Sequence, residues 1–349
     1  MHNLIEPHSL VRHFLAHPPE GFPAFELEGV PAFSTRFDLL TTMEPADRRK
    51  LERLPLYKTW SRWLRPWTCF IGATVSEYAL FPPSQSAAEF VQSVLAQQKE
   101  HSFLIIKDIP SDPVLVGEQA HQYSTHLAEA AQRAGFVLVE GQALAYVPID
   151  FPSVEAFMER FSKSRRKDFR RKLRILPELD IEVVETGDVF FDDETMLARF
   201  YKLYCEVYDQ SEIHFDLLSA EFFASVLRDA SSGGRVFVYL LKGELIGYNL
   251  CFVESGVLVD KYVGFSYPKA RDYNLYVVSW FQNLQYALDH GLKYYVAGWT
   301  DPEIKRYLGA QFTFTRHAVY IRNPLVRNLL KPFKRFFEAD NNWNEAQDS

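Results

Sequence analysis

The sequence predicts an α/β protein with mixed sheets, organised as two units. Short runs of β-branched and aromatic residues alternate with segments whose apolar residues recur at helical spacing. The chain has 349 residues, which is long for one domain and sufficient for two, at about 100–200 residues per domain. Hydrophobic residues make up 47% of it and aromatic residues 15%, so both units can build cores.

The first unit shows three strands separated by two helices. TCFIGATVSEYALFP (68–82) and HSFLIIKDI (101–109) are predicted strands, and Ser86–Lys99 is a predicted helix between them. A second helix over about 113–134 and a strand over 136–147 follow. This order favours a partly parallel sheet covered by helices. Residues 1–67 are rich in proline and show no clean period.

The second unit opens with a helix over 152–161, which continues into the basic helix SKSRRKDFRRKLR (162–174). A strand over 180–186 and helices over 193–209 and 220–229 come next. The hairpin RVFVYLLKGELIGYNLCFVE then turns at Lys242-Gly243-Glu244. GVLVDKYVGF is predicted as a third antiparallel strand. The remaining elements are a helix over 274–290 ended by Gly291, the strand LKYYVAGW, a short helix around 304–308 and the strand FTFTRHAVYIR.

Composition narrows the class of protein. Lys and Arg total 38 and Asp and Glu total 45, giving a net charge of −7, which argues against a dedicated nucleic-acid binder. The cysteines Cys69, Cys205 and Cys251 are scattered, without metal-ligand spacing, and fit a reducing compartment. No apolar run reaches about 18 residues. We expect a cytoplasmic enzyme without a metal site or a tightly bound cofactor.

Three segments carry a family resemblance: SKSRRKDFRRKLR, YVGFSYPKARDYNLY and GLKYYVAGWTDPEIKRYLGAQF. Together they resemble the FemAB-like and BioF2-like branch of the GNAT superfamily, which shows a basic S-x-x-x-R-x-x-x-R-R type helix and a late K-x-x-x-G. The resemblance covers residues 150–322 well and residues 1–150 weakly. It implies the GNAT acyltransferase fold in tandem: a degenerate GNAT-like domain (1–150), a catalytic domain (151–323) and an amphipathic C-terminal segment (324–349).

The resemblance implies transfer of an acyl group to an amine, and three hypotheses follow. The first is an N-acyltransferase using a thioester donor, either acyl-CoA or acyl carrier protein, as co-substrate. The second is a FemAB-type transferase that uses aminoacyl-tRNA. The third is a non-catalytic GNAT scaffold whose basic helix binds an acidic partner.

Lys305 is the foremost catalytic candidate, four residues before Gly309. In relatives the matching lysine lies near the reacting carbonyl, so here it is expected to hold the oxyanion. The alternative is a surface lysine. Asp301 and Glu303, on the same loop, are candidates for a general base or for ordinary helix-start residues.

Donor and acyl groups are assigned to the junction between the third antiparallel strand and its helix. In GNAT folds the sheet opens between its fourth and fifth strands, which here would be Val257–Phe265 and Leu292–Trp299. Donor phosphates bind at the N-terminus of the helix that follows the fourth strand. This junction lacks the glycine-rich loop of acetyl-CoA enzymes, so side chains are expected to replace it. The candidates for donor binding are Lys269, Arg271 and Asn274, against the alternative of an ordinary solvated turn. Those for lining the acyl channel are Tyr262, Tyr267 and Trp299, against the alternative of aromatic residues packed in the core.

Two further segments carry charge. In the basic helix, Arg166 and Arg170 share one face and are predicted to bind a phosphate-bearing or acidic partner, against the alternative of a solvated face. Residues 324–338 combine apolar and basic residues. They predict either a helix packed on the domain or a peripheral membrane contact.

Overall fold

The computed structural model describes residues 4–38, 49–50, 52–55, 57–211 and 215–324. The predicted amphipathic segment at 324–338 lies outside this part apart from its first residue. The chain divides into two compact units, one of residues 1–4, 21–144 and 313–349, the other of residues 5–20 and 145–312. This division differs from the predicted domains 1–150 and 151–323, because residues 5–20 belong to the second unit and residues 313–323 to the first.

The N-terminal unit contains a mixed sheet in the order β1-β2-β3-β4-β11-β5. Its strands are β1 (Ala24–Leu27), β2 (Val30–Arg36), β3 (Trp67–Ile71), β4 (Phe103–Pro110), the first part of β5 (Val137–Pro148) and most of β11 (Gln311–Ile321). Its helices are α2 (Tyr57–Trp60), α3 (Ala87–Gln97) and α4 (Glu118–Arg133). Strands β3 and β4 are parallel, as the intervening helix α3 requires.

One predicted strand is too long. The sequence predicts a strand over 68–82, but β3 ends at Ile71. The next residue, Gly72, has φ 133°, which a strand does not sustain and which residues with a Cβ rarely adopt. The helix predicted over 86–99 is confirmed by α3, whose Ser86 and Glu89 form a reciprocal capping box.

The C-terminal unit has the sheet order β5-β10-β9-β8-β7-β6, beginning with the last residues of β5. Its other strands are β6 (Leu179–Glu185), β7 (Gly234–Leu241), β8 (Glu244–Glu254), β9 (Val257–Phe265) and β10 (Tyr294–Gly298). Its helices are α1 (His8–Ala16), α5 (Val154–Glu159), α6 (Lys163–Lys172), α7 (Glu194–Gln210), α8 (Ala220–Leu227), α9 (Lys269–Asp272), α10 (Leu275–Asp289) and α11 (Pro302–Tyr307). The predicted order of elements from 152 to 308 is confirmed, whereas the last predicted strand of this unit, FTFTRHAVYIR, is β11 and belongs mainly to the N-terminal unit.

The hairpin β7–β8 shows why this unit was predictable. Its loop is Lys242-Gly243, and both residues have positive φ, 51° and 79°, as a two-residue hairpin requires. The core lies between the sheet and α10, and includes Phe169, Trp280 and Leu284. No helix in the described part of the chain is long and apolar enough to cross a bilayer.

Candidate functional site

The sheet of the C-terminal unit opens between β9 and β10. The two strands pair in parallel from Val257↔Tyr294 to Val259↔Val296, and the recorded pairing stops there. Beyond that point β9 continues along β8, and β10 continues along β5 to Gly298. We call the opening beyond Val259 and Val296 the wedge. It lies where the sequence predicts it.

Lys305 lies at this wedge. It is the one buried residue recorded for the six-residue helix α11, with 4% of its surface exposed. A Cβ placed on Gly298 would lie 3.8 Å from the Lys305 Nζ and 4.0 Å from the main-chain oxygen of Asp260. A lysine is rarely buried unless its ammonium has a charged or polar environment. This placement favours a functional lysine over the surface lysine that the sequence leaves as the alternative.

The two acidic residues predicted beside Lys305 do not share its environment. Asp301 and Glu303 are both exposed. Asp301 occupies the N-cap position of α11 with φ 53°, and its side chain makes no capping hydrogen bond. These positions give neither residue a fixed orientation toward the wedge, and their role as bases stays a prediction.

Sequence reasoning missed Asp260, the carboxylate at the wedge. Its Oδ1 accepts a hydrogen bond from Asn249 (3.1 Å), while its Oδ2 accepts from Asn249 (3.0 Å), Asn283 (3.0 Å) and Tyr295 (3.1 Å). The three partners are buried, whereas Asp260 is half-buried. Removal from water raises the pKa of Asp260 to about 6, against the lowering effects of these hydrogen bonds and of the Lys305 charge.

A β-bulge sets the direction of Asp260. In the β8–β9 register, Leu250 pairs with Tyr262 and Cys251 with Asp260, so Lys261 is the extra residue. Lys261 forms a buried ion pair with Glu6 (3.3 Å). Two successive residues of β9 thus leave the regular alternation of faces, and Asp260 points to the polar groups of β8, β10 and α10.

The predicted channel aromatics are separated in the structure. The Tyr262 ring packs against Phe222, Phe223 and Tyr204, at centroid distances of 5.9, 5.3 and 6.4 Å. This aromatic cluster of α7, α8 and β9 explains Tyr262 as packing. Trp299 is half-buried and directly follows Gly298, so it remains next to the wedge.

The predicted donor-binding residues near α10 are engaged with other parts of the chain. Lys269 Nζ donates to Glu244 (2.5 Å) and Arg271 donates to Gln210 (2.8 Å). The Arg271 guanidinium also lies 5.2 Å from the centre of the Tyr267 ring.

Asn274 takes the N-cap position of α10 with φ 51° and no side-chain capping bond. The structure therefore offers no free cationic cluster made of Lys269 and Arg271.

The basic helix α6 is fastened to the helix that carries Lys305. Arg165 donates to the main-chain oxygen of Arg306 (2.7 Å), and its guanidinium lies 4.9 Å from the Tyr307 ring centre. The Tyr307 hydroxyl donates to Asp168 (2.9 Å). Although partial burial acts to raise it, hydrogen bonds from Lys172, Arg171 and Tyr307 lower the pKa of Asp168 to about 2.

The outer face of α6 presents cations to solvent. Lys163, Lys167 and Arg170 are exposed and recur at i, i+4 and i+7, which places them along one side of α6, and the exposed Arg174 follows in the 3₁₀ turn after the helix. We call these four residues the basic face. Within the described part of the chain, none of the four pairs with a carboxylate. The predicted Arg166 differs, because its guanidinium donates to the main-chain oxygens of Glu159 (3.3 Å) and Phe161 (3.0 Å).

The N-terminal unit has its own parallel pair, β3 and β4, whose pairing stops at Ile71↔Ile106. Beyond it, Lys107 Nζ donates to the main-chain oxygen of Ala73 (2.9 Å). A Cβ on Gly72 would lie 2.8 Å from Lys107 Cγ. The side chain of Lys107 thus occupies the space beside the strand end, and the wedge between β9 and β10 is the better site for a substrate.

A mixed sheet that opens beside a parallel pair, with a helix crossing between the two strands, defines a GNAT-type fold. The chain belongs to the FemAB-like family, whose model, described as peptidoglycan biosynthesis/recognition, matches residues 92–347. A search of curated proteins found no significant match.

Two solved structures share the fold over most of the chain. L-PGS from Bacillus licheniformis is 10% identical and superposes with a TM-score of 0.53, covering 97% of this chain and 98% of that one. FemX is 14% identical, with a TM-score of 0.51 and coverage of 95% and 99%. A tandem GNAT protein from the clavulanic acid biosynthesis pathway is 11% identical, with a TM-score of 0.45 and coverage of 93% and 90%.

Proposed function

We propose that this protein transfers an aminoacyl group from an aminoacyl-tRNA to an amine acceptor, with the wedge of the C-terminal unit as its active site. The observation that carries the proposal is the burial of Lys305 at the point where β9 and β10 separate. The family's link to peptidoglycan biosynthesis supports a peptide amine as the acceptor.

The reaction needs a positive charge beside the carbonyl oxygen, where negative charge develops. The acceptor amine attacks the ester carbonyl of the donor, and a tetrahedral oxyanion forms as the carbon–nitrogen bond is made. The Lys305 ammonium would stabilise this oxyanion. When the carbon–oxygen bond breaks, the ribose oxygen leaves and takes up a proton, which the ammonium is placed to supply. The attacking nitrogen gives up one proton as the amide forms, and transfer of that proton to Lys305 restores the ammonium, so ester and amine become amide and ribose hydroxyl.

The basic face supports a nucleic-acid donor. The basic face has three exposed cations on one side of α6 and Arg174 just beyond its end, and together they can contact a phosphate backbone. Since Arg165 and Asp168 tie this helix to α11, a donor bound along α6 is held in a fixed relation to Lys305. The net charge of −7 does not oppose this, because a local row of cations acts at short range.

The contacts of the residues before α10 disfavour the thioester donor, which is the first of the three hypotheses from the sequence. The cations expected to bind a coenzyme A pyrophosphate, Lys269 and Arg271, are engaged with Glu244 and Gln210. The junction before α10 also lacks a glycine loop whose main-chain N–H groups could replace them. The proposal therefore places the tRNA-dependent hypothesis ahead of the thioester-dependent one.

A donor comparison tests the proposal. The purified protein is given a peptide with a free side-chain amine and one of three donors: a pool of charged tRNA, acyl-CoA or acylated carrier protein. We expect transfer from charged tRNA alone, and its loss on ribonuclease treatment. Product from a thioester without tRNA would overturn the donor assignment.

Two variants separate chemistry from binding in that assay. Lys305→Met is expected to abolish transfer while tRNA binding persists, because it removes the ammonium and keeps the length of the side chain. Lys293→Met, which changes an exposed lysine, is the matched control and should retain activity. Full transfer by Lys305→Met would contradict the role given to the lysine.

A further inference from the structure

The wedge contains a polar network that neither the resemblance nor the proposed reaction assigns a task. Asn249, Asn283 and Tyr295 are all nearly or fully excluded from solvent, at 0%, 0% and 1% exposure. Placing two amides and a phenol inside a core costs free energy unless each is satisfied by a partner. The group that all three contact is the carboxylate of Asp260.

The network is built to hold a charged carboxylate in one orientation. A carboxylate only accepts hydrogen bonds, so it fixes the orientation of the Asn249 amide, whose nitrogen donates to both of its oxygens. Asn283 donates to Asp260 and to the Tyr295 oxygen (3.2 Å), while its own oxygen accepts from Cys251 Sγ (3.8 Å). Each of these partners is neutral, so none of them balances the charge.

Lys305 supplies the opposite charge. It lies close enough to act on Asp260 electrostatically, and its Nζ and the Asp260 main-chain oxygen lie near the same point beside Gly298. A buried ammonium and a half-buried carboxylate stabilise each other when neither is fully hydrated. The carboxylate is fixed by β8, β10 and α10, whereas the ammonium sits at the end of a flexible side chain.

We infer that Asp260 is a positioning residue, whose carboxylate keeps Lys305 charged and directed into the wedge. The inference rests on the proposed function for its catalytic meaning, but the coupling of the two groups does not. Asp260 is assigned this role and not that of the general base, because the four hydrogen bonds to its carboxylate come from buried side chains of β8, β10 and α10 and hold it in place.

The groups that face Asp260 come from five elements. They are Tyr239 on β7, Asn249 and Cys251 on β8, Tyr276 and Asn283 on α10, Tyr295 on β10, and Lys305 on α11. Burial raises the pKa of Cys251, Tyr239 and Tyr295 well above their usual values. Asp260 is therefore the member of this group that titrates below neutral pH, and Lys305 is expected to lose its counter-charge as pH falls through about 6.

Pulse labelling of lysines with an acylating reagent, read by mass spectrometry as a function of pH, tests the coupling without any assay of activity. In Asp260→Asn we expect the onset of Lys305 labelling to move down by about one pH unit or more, because an ammonium without its counter-ion loses its proton more easily. Asp289→Asn, an exposed carboxylate at the end of α10 that contacts Gln285, is the control and should leave the profile unchanged. An unchanged profile in Asp260→Asn would overturn the inference.

A second variant keeps the test decisive if Asp260→Asn does not fold. Tyr295→Phe removes one hydrogen bond to the charged carboxylate and retains the ring that packs on Trp280 at 5.2 Å. The acid limb of the single-turnover transfer rate should then move to higher pH, since the ionised form is less favoured. An acid limb that does not move would contradict the positioning role. Absence of transfer by the unmodified protein, with the labelling shift present, would refute the proposed function and leave the coupling established.

Discussion

Neutralising part of the basic face should weaken tRNA binding in a way that depends on salt. The double variant Lys167→Ala/Arg170→Ala removes two of the four exposed cations of the basic face. Neither residue has a recorded partner within the described part of the chain, so the substitution breaks no identified contact. Both face away from Phe169, which packs into the core, and the helix should remain folded.

The magnitude follows from counterion release. Each phosphate contact that is lost lowers the slope of log affinity against log salt by about 0.7–0.9. Two contacts therefore lower it by about 1.4–1.8. If the two proteins converge near 1 M salt, the variant binds roughly 25- to 60-fold more weakly at 0.1 M.

Fluorescence anisotropy of labelled tRNA, titrated at several salt concentrations, measures this slope directly. The matched control is Arg199→Ala/Lys202→Ala, which removes the same charge from exposed positions on α7. We expect the control to keep the parent slope. Equal losses in both variants would show a general charge effect, and an unchanged slope in the α6 variant would refute the assignment of the basic face.

Two further changes, one of them with a matched control, probe the wedge and its support. Gly298→Ala should cost about 1 kcal/mol because φ is 79° there, and it should also lower the transfer rate because the added methyl group would lie in contact with the Lys305 Nζ, at 3.8 Å, and take up space in the opening. Gly243→Ala is the control, because Gly243 has the same φ and open space around it. The midpoint temperature of thermal unfolding should fall equally in both variants, while only Gly298→Ala should lose activity. Tyr307→Phe removes a hydrogen bond to Asp168 and should cost about 1 kcal/mol or less at pH 7 by chemical denaturation. Because the pKa of Asp168 is lowered in the folded state, its ionised carboxylate stabilises the fold above about pH 4, and this stabilisation is lost as pH falls toward 2. The difference in unfolding free energy between Tyr307→Phe and the parent should therefore vanish in strong acid. A difference that persists there would contradict this origin.

The parts of the fold that were predictable depend on local chemistry. The turn at Lys242-Gly243 needs positive φ, and the sequence offers a glycine between two strongly β-forming runs. The helix α10 was predicted from its apolar spacing and from Gly291, which has φ 61°. By contrast, the end of β3 at Ile71 depends on Gly72, and a lone glycine inside an apolar run is ambiguous. The packing of residues 5–20 with the C-terminal unit involves Glu6 and Lys261, a pair separated by most of the chain.

The site was predictable only in part, for the same reason. Lys305 was singled out because its K-x-x-x-G spacing matches the lysine of the resembling family, and its catalytic role stays a prediction. Asp260 was missed, although an aspartate inside VLVDKYVGF is an unusual residue for a central strand. Its direction depends on the bulge at Lys261, and a bulge is set by pairing with β8, which no local pattern reveals.

The contrast between the two parallel pairs gives a physical reason for chemistry to reside in the C-terminal unit. At β3–β4, Lys107 lies just beyond the last paired residue, and its ammonium donates to the main-chain oxygen of Ala73. The side chain of Lys107 therefore closes the gap. At β9–β10 the strand ends with Gly298, which has no side chain to fill the opening. The lysine there comes instead from α11, beyond the strand, and approaches the opening from outside. The fold closes the β3–β4 gap with its own side chain but leaves the β9–β10 gap open, at a cost in packing. That cost, and the presence of Lys305 with the Asp260 network, is explained if the opening receives a substrate.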